Sequence, residues 1–149
     1  MRDCALEVRA RGMVNVLVSN GCASPETIAA VAPLVDAANI DIKGPSQKFY
    51  DWVGGSFEAV CRTVETLHGA GCHVEVTTLV VPGRNDRAED MDAIAEFVAS
   101  VSPDMPLHVT RFFPRYLMAD LRPTPVADVL RLADVARRRL RRVLVGNCR

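Results

Sequence analysis

The chain has 149 residues, of which 49% are apolar and 24% charged, a globular balance that excludes a disordered chain and suits one domain with a proper core. Its 18 basic and 18 acidic side chains cancel, so the total charge points to neither nucleic acid nor a membrane surface as partner. There is no uninterrupted apolar run of about 18 residues, as a membrane-spanning helix needs, and Arg2, Asp3, Glu7 and Arg9 argue against a signal peptide, so a cytoplasmic protein is the expectation.

Short β-branched runs alternate with helical patterns along the chain. Residues 1–11 read as a helix ended by Gly12, and 14–19 as a Val-rich strand closed by Asn20-Gly21. Ser24 and Pro25 open the next helix as cap and first turn. Residues 38–43 form the second strand, and 46–53 a short helix or turn broken at Gly54-Gly55. Residues 56–68 place Phe57, Val60, Cys61, Val64 and Leu67 on one helix face, stopped at Gly69 and Gly71. Residues 73–81 are the third strand. Asp86 and Glu89 read as a capping box for a helix that buries Met91, Ile94, Phe97 and Val98. Residues 107–111 are the fourth strand, Thr124-Pro125 starts a helix running to about Arg139, and 143–145 are a fifth strand. Strands separated by helices are parallel, so the fold class is α/β, an open doubly wound sheet or part of a barrel.

The strands are not the continuous apolar runs of a sheet buried on both faces. Ile40 and Ile42 alternate with Asn39, Asp41 and Lys43. Val74, Val76 and Val80 alternate with Glu75 and Thr77, Leu107 and Val109 with His108 and Thr110, and Ser19 falls out of phase with its valines. Alternation puts each set on one face. The apolar faces pack under helices, and the polar faces line a lumen that suits a polar, zwitterionic ligand. Pairing of Asp41 and Lys43 in mere support of the fold is the other reading of the same pattern.

The runs Val14-Asn-Val-Leu-Val-Ser-Asn-Gly21, Ala38-Asn-Ile-Asp-Ile-Lys-Gly44, Val74-Glu-Val-Thr-Thr-Leu-Val-Val-Pro-Gly-Arg-Asn-Asp86, Leu107-His-Val-Thr-Arg-Phe-Phe-Pro114 and Val143-Leu-Val-Gly-Asn147 occur in this order. Together they resemble the radical S-adenosylmethionine (radical SAM) enzymes related to pyruvate formate-lyase activating enzyme, and most closely the AmmeMemoRadiSam system branch. The resemblance implies a (β/α)6 partial barrel, of which residues 1–149 are a single domain covering the C-terminal part. It implies a 4Fe–4S cluster and SAM as cofactors of the intact family, in which the reduced cluster cleaves SAM to methionine and a 5′-deoxyadenosyl radical that abstracts hydrogen. The family's C-x-x-x-C-x-x-C ligands and Gly-Gly-Glu motif are absent from this sequence. The chain alone is then expected to be inactive, with no catalytic residue and no metal ligand of its own. A protein substrate or the N-terminal half is the expected partner.

By the same resemblance four residues form a SAM half-site. Ser19 lies close to the methionyl group, Lys43 faces the carboxylate, Asp41 belongs to a nearby cation site, and Thr77 stands where an arginine is frequent. Val18 and Phe113 replace an aspartate and a histidine. A non-catalytic half-barrel and a small α/β ligand-binding protein are the alternatives.

Other features carry less. Cys4, Cys22, Cys61, Cys72 and Cys148 are widely spaced and read as free thiols, and Cys61, His68, Cys72 and His73 match no zinc pattern. His108 reads as a hydrogen-bonded lumen residue. Residues 1–110 carry a net −7 and residues 111–149 a net +7. The run Arg137-Arg-Arg-Leu-Arg-Arg142 has no interleaved aromatics and reads as a solvated helix end, not a nucleic-acid site.

Overall fold

In the computed structural model, which describes residues 1–148, the β-branched runs become β1 (Val16–Ser19), β2 (Ala37–Asp41), β3 (His73–Val80), β4 (Leu107–Arg111) and β5 (Val143–Gly146). The helical patterns become α1 (Arg2–Ala10), α2 (Pro25–Val31), α3 (Gln47–Val53), α4 (Phe57–Gly69), α5 (Ala88–Val101) and α6 (Val126–Ala136). The sheet order is β1-β2-β3-β4-β5, and every neighbouring pair is parallel.

That order decides where the helices go. A parallel crossover is right-handed, so strands added always on one side keep their connecting helices on one face. A doubly wound sheet reverses its order and covers both faces. This sheet never reverses, and its second face stays open, which is the geometry of a barrel segment. On the helix face Ile40, Val76 and Leu107 are fully buried in one core with Val60, Val64 and Leu67 of α4 and Ile94 of α5. Each such side chain contributes about 1.5–3 kcal/mol of burial.

Several helix starts follow their local chemistry. The Ser24 hydroxyl accepts the Thr27 N–H at 3.2 Å, and the Ser56 hydroxyl accepts the Ala59 N–H at 3.2 Å. Residues 47–53 are a helix, capped by Ser46 and ended at Gly54, whose φ of +76° suits a residue without Cβ. The capping box at Asp86 does not form. Its carboxylate instead accepts the Gly83 N–H at 2.9 Å and closes the preceding turn, so α5 starts one residue later, with Arg87 in the cap position. Glu89 and Asp90 in the first turn then meet the helix dipole. Thr124 lies just outside α6, which begins at Val126. It is buried, its hydroxyl donating to the Val80 carbonyl at 2.6 Å, and α6 ends at Ala136, with hydrogen-bonded turns carrying the chain on to Leu140.

β1 is turned over relative to the expectation. Its register sets Val18 beside Asn39 and Ser19 beside Ile40, so the valines lie on the open face and Ser19 on the helix face. Val16 and Val18 are 64% and 77% exposed. Leu17, not a valine, packs toward the helices. As the first strand in the order, β1 also leaves one edge of backbone groups without a strand partner among the described residues. We expect the isolated chain to associate as its concentration rises, by light scattering, and Val18→Lys to suppress this without lowering stability. A monodisperse wild-type monomer at high concentration contradicts this reading of the edge.

Candidate functional site

The open face carries a polar band across the three inner strands. Register aligns Asp41, Thr77, His108 and Leu144 in one row, with Asn39 and Glu75 in the row before it. Lys43 follows just past the end of β2. These positions approach the C-terminal strand ends, where open α/β sheets and barrels hold their ligands.

Four polar contacts organise the band. The Lys43 ammonium Nζ lies 2.7 Å from Asp41 Oδ2, both side chains being about one-third exposed. Thr77 Oγ1 donates to Asn39 Oδ1 at 2.8 Å. Glu75 takes one imidazole on each oxygen: His73 Nε2 at 3.1 Å and His108 Nε2 at 2.6 Å. Hydrogen bonding from His73, then from His108, holds the Glu75 carboxyl below the usual glutamate value, against a smaller opposing effect of burial. A depressed carboxyl stabilises the fold above its ordinary pKa, and this stabilisation disappears as pH falls through the depressed value. We therefore expect wild type to lose up to about 1 kcal/mol more than Glu75→Gln on acidification from pH 7 to below the depressed value, the scale of a part-exposed pair. NMR titration of the Glu75 carboxyl checks the cause, and a midpoint at or above the ordinary value contradicts it.

The structure thus brings together three of the four sequence-predicted site residues, Asp41, Lys43 and Thr77, on one face. Ser19 is not among them. Beyond its register, its hydroxyl accepts the Gly21 N–H at 3.1 Å and shapes the turn after β1. Asn39 joins the band as the acceptor of Thr77, a partner that the alternation marked only by face. Both edge strands put apolar side chains on the open face, Val18 from β1 and Leu144 from β5. At the end of β4, Arg111 Nε donates to the Thr124 carbonyl at 2.7 Å, and its guanidinium lies 4.7 Å from the centre of the Phe113 ring.

The remaining candidates disperse. The five thiols are free: Cys22 and Cys148 follow the two edge strands, Cys72 precedes β3, and Cys4 and Cys61 belong to α1 and α4. Burial pushes the Cys61 thiol up to about 12 and the Cys72 thiol upward, which keeps both protonated and poor as metal ligands. The arginine run meets carboxylates of the surrounding chain: Arg137 meets Asp134, Arg139 holds Asp92 with two nitrogens at 2.7 and 2.8 Å, and Arg141 meets Asp104 at 2.7 Å. A separate cavity of about 500 Å³ lies beyond β2 and β3 among Lys48, Phe49, Trp52 and Arg84, with the Arg84 guanidinium 4.4 Å from the centre of the Trp52 ring. Among the described residues no helix is long and apolar enough to cross a membrane.

The family model of the Radical SAM superfamily matches residues 2–98. Over 149 residues the chain is 36% identical to an uncharacterized protein of Methanocaldococcus jannaschii, covering 99% of this chain and 44% of that protein. Over 100 residues it is 32% identical to the benzylsuccinate synthase activating enzyme of Thauera aromatica, covering 65% of this chain and 30% of that enzyme. The chain therefore spans less than half the length of either relative. In fold it is similar to a domain of pyruvate-formate lyase-activating enzyme from Bacteroides vulgatus, with a TM-score of 0.79 at 15% identity over 97% of this chain and 88% of that one.

Proposed function

Since the chain belongs to the Radical SAM superfamily, we propose that its open sheet face is one half of a SAM-binding lumen, with Lys43 as the partner of the methionyl carboxylate. The observation that carries this is the Lys43–Asp41 pair, a lysine ammonium held on the polar face near the strand ends. An ammonium there suits a carboxylate, because charge-assisted hydrogen bonds are the strong ones. Asp41 holds the ammonium before ligand arrives and supplies a carboxylate beside it for a cationic group. Thr77, one strand further in, and Asn39, on β2 itself, offer neutral hydrogen-bonding groups. Ser19 contributes by shaping the turn at the end of β1.

The five thiols do not converge on one place, so a 4Fe–4S cluster does not fit this chain's own residues. In a complete barrel the radical chemistry belongs to the cofactors, and the protein binds and orients them. The open β1 edge and the exposed Val16 and Val18 support a cluster-bearing half of the barrel as partner. The likeness to an activating enzyme supports hydrogen abstraction from a protein substrate as the reaction that this half-lumen serves.

Decarboxylated SAM tests the reading, because it lacks only the carboxylate. Wild type should bind SAM more tightly than decarboxylated SAM, and Lys43→Ala should bind the two alike. Equal binding of the two by wild type contradicts the assignment of Lys43.

A further inference from the structure

Lys43 stands past the last ladder residue of β2, where a chain ordinarily loses its backbone partners, yet every backbone polar group of Ile42 and Lys43 is engaged. The Ile42 N–H donates to the Thr77 carbonyl at 2.9 Å, and the Ile42 carbonyl accepts from the buried Thr78 hydroxyl at 2.9 Å. The Lys43 N–H donates to the Tyr50 hydroxyl at 3.0 Å, and the Lys43 carbonyl accepts from Asn85 Nδ2 at 2.8 Å. Both of these partner side chains are themselves buried, Tyr50 at 1% exposure and Asn85 at 0%.

Asn85 uses its whole amide at this place. Nδ2 also donates to the Leu79 carbonyl at 2.9 Å, and Oδ1 accepts the Val81 N–H at 2.7 Å, so the turn after β3 is fastened to the end of β2. The next residue, Gly44, completes the arrangement, because a Cβ there would fall 2.3 Å from the Phe49 ring. Tyr50 keeps its proton at ordinary pH, since burial raises its phenol to about 12. This is more than packing requires. A strand end that only supported the core would need Ile42 fixed, not Lys43, whose side chain faces the open side.

We propose that Asn85 and Tyr50 are positioning residues that clamp the backbone of Lys43, so that its ammonium stands ready beside Asp41 before any ligand binds. The proposal rests on the reading of Lys43 as the carboxylate partner and adds the groups that hold it. A lysine on a free loop must order its backbone on binding, whereas a clamped one has done so in advance.

The test uses the ¹⁵N-labelled full chain with Tyr50→Phe, which removes only the hydroxyl, and Asn85→Asp, which keeps the size but loses the two amide donors. Amide hydrogen exchange at Lys43 should speed up about tenfold in Tyr50→Phe, while the Val76 amide in the middle of β3 keeps its protection. The response of the Lys43 side-chain ammonium signal to SAM should weaken in the same variant. Asn85→Asp should do both more strongly. If it fails to fold, Tyr50→Phe decides the matter alone. Unchanged exchange at Lys43, an equal loss of protection at Val76, or a wild-type SAM response in Tyr50→Phe each overturns the clamp. The exchange measurement needs no ligand, so failure of the SAM reading shows separately, as Lys43→Ala binding SAM like wild type.

Discussion

Ile42→Ala should cost the chain about 2–5 kcal/mol of stability, the range for truncating a fully buried aliphatic side chain. Ile42 is 0% exposed and belongs to the core between sheet and helices, in phase with Ile40. Its backbone is held on both sides by the Thr77 carbonyl and the Thr78 hydroxyl, so the site has little freedom to collapse around the missing atoms. The cavity term therefore adds to the lost transfer energy rather than relaxing away. Calorimetric melting checks this, and a cost below about 1 kcal/mol contradicts the placement of Ile42 in a rigid core. SAM binding should fall only as far as the folded fraction falls.

The neighbouring residue should behave in the opposite way. Lys43→Ala removes a cation whose side chain is about one-third exposed and whose ion pair is accessible to water, so its stability cost stays within about 1 kcal/mol. Its effect on ligand is larger. A charged hydrogen bond to a carboxylate is worth about 1.5–3 kcal/mol, or roughly ten- to a hundredfold in affinity. Two adjacent residues thus report on the two faces of one sheet, one through melting and the other through binding. Early melting of Lys43→Ala with unchanged SAM affinity contradicts the account of the open face.

Much of this was legible in the sequence because it is local. Alternation of period two in β2, β3 and β4 separates Ile40, Val76 and Leu107 from Asp41, Thr77 and His108, and the helix starts at Ser24 and Ser56 follow from one side chain each. β1 defeats the same rule. An edge strand with an uncovered face tolerates valines on the open side, so composition alone assigns the faces the wrong way round and carries Ser19 with them. Asp86 is a good cap by residue type, but its carboxylate is drawn off by a turn N–H, that of Gly83. The clamp on Lys43 was out of reach for a different reason. Asn85 lies 42 residues away in sequence, and nothing in the spacing shows that the turn after β3 meets the end of β2. Tyr50 sits seven residues from Lys43 in a short helix whose pattern does not mark it as a partner.

The lysine content offers the most direct measurement. The chain has two lysines, Lys43 on the open face and Lys48 beside the separate cavity, so selective ¹⁵N-lysine labelling yields one reporter in the proposed site and one outside it. On titration with SAM, the Lys43 amide and ammonium signals should move in a saturable way while those of Lys48 stay in place, and decarboxylated SAM should move Lys43 far less. If SAM leaves Lys43 unmoved, or moves both lysines alike, the open face is not the SAM half-site.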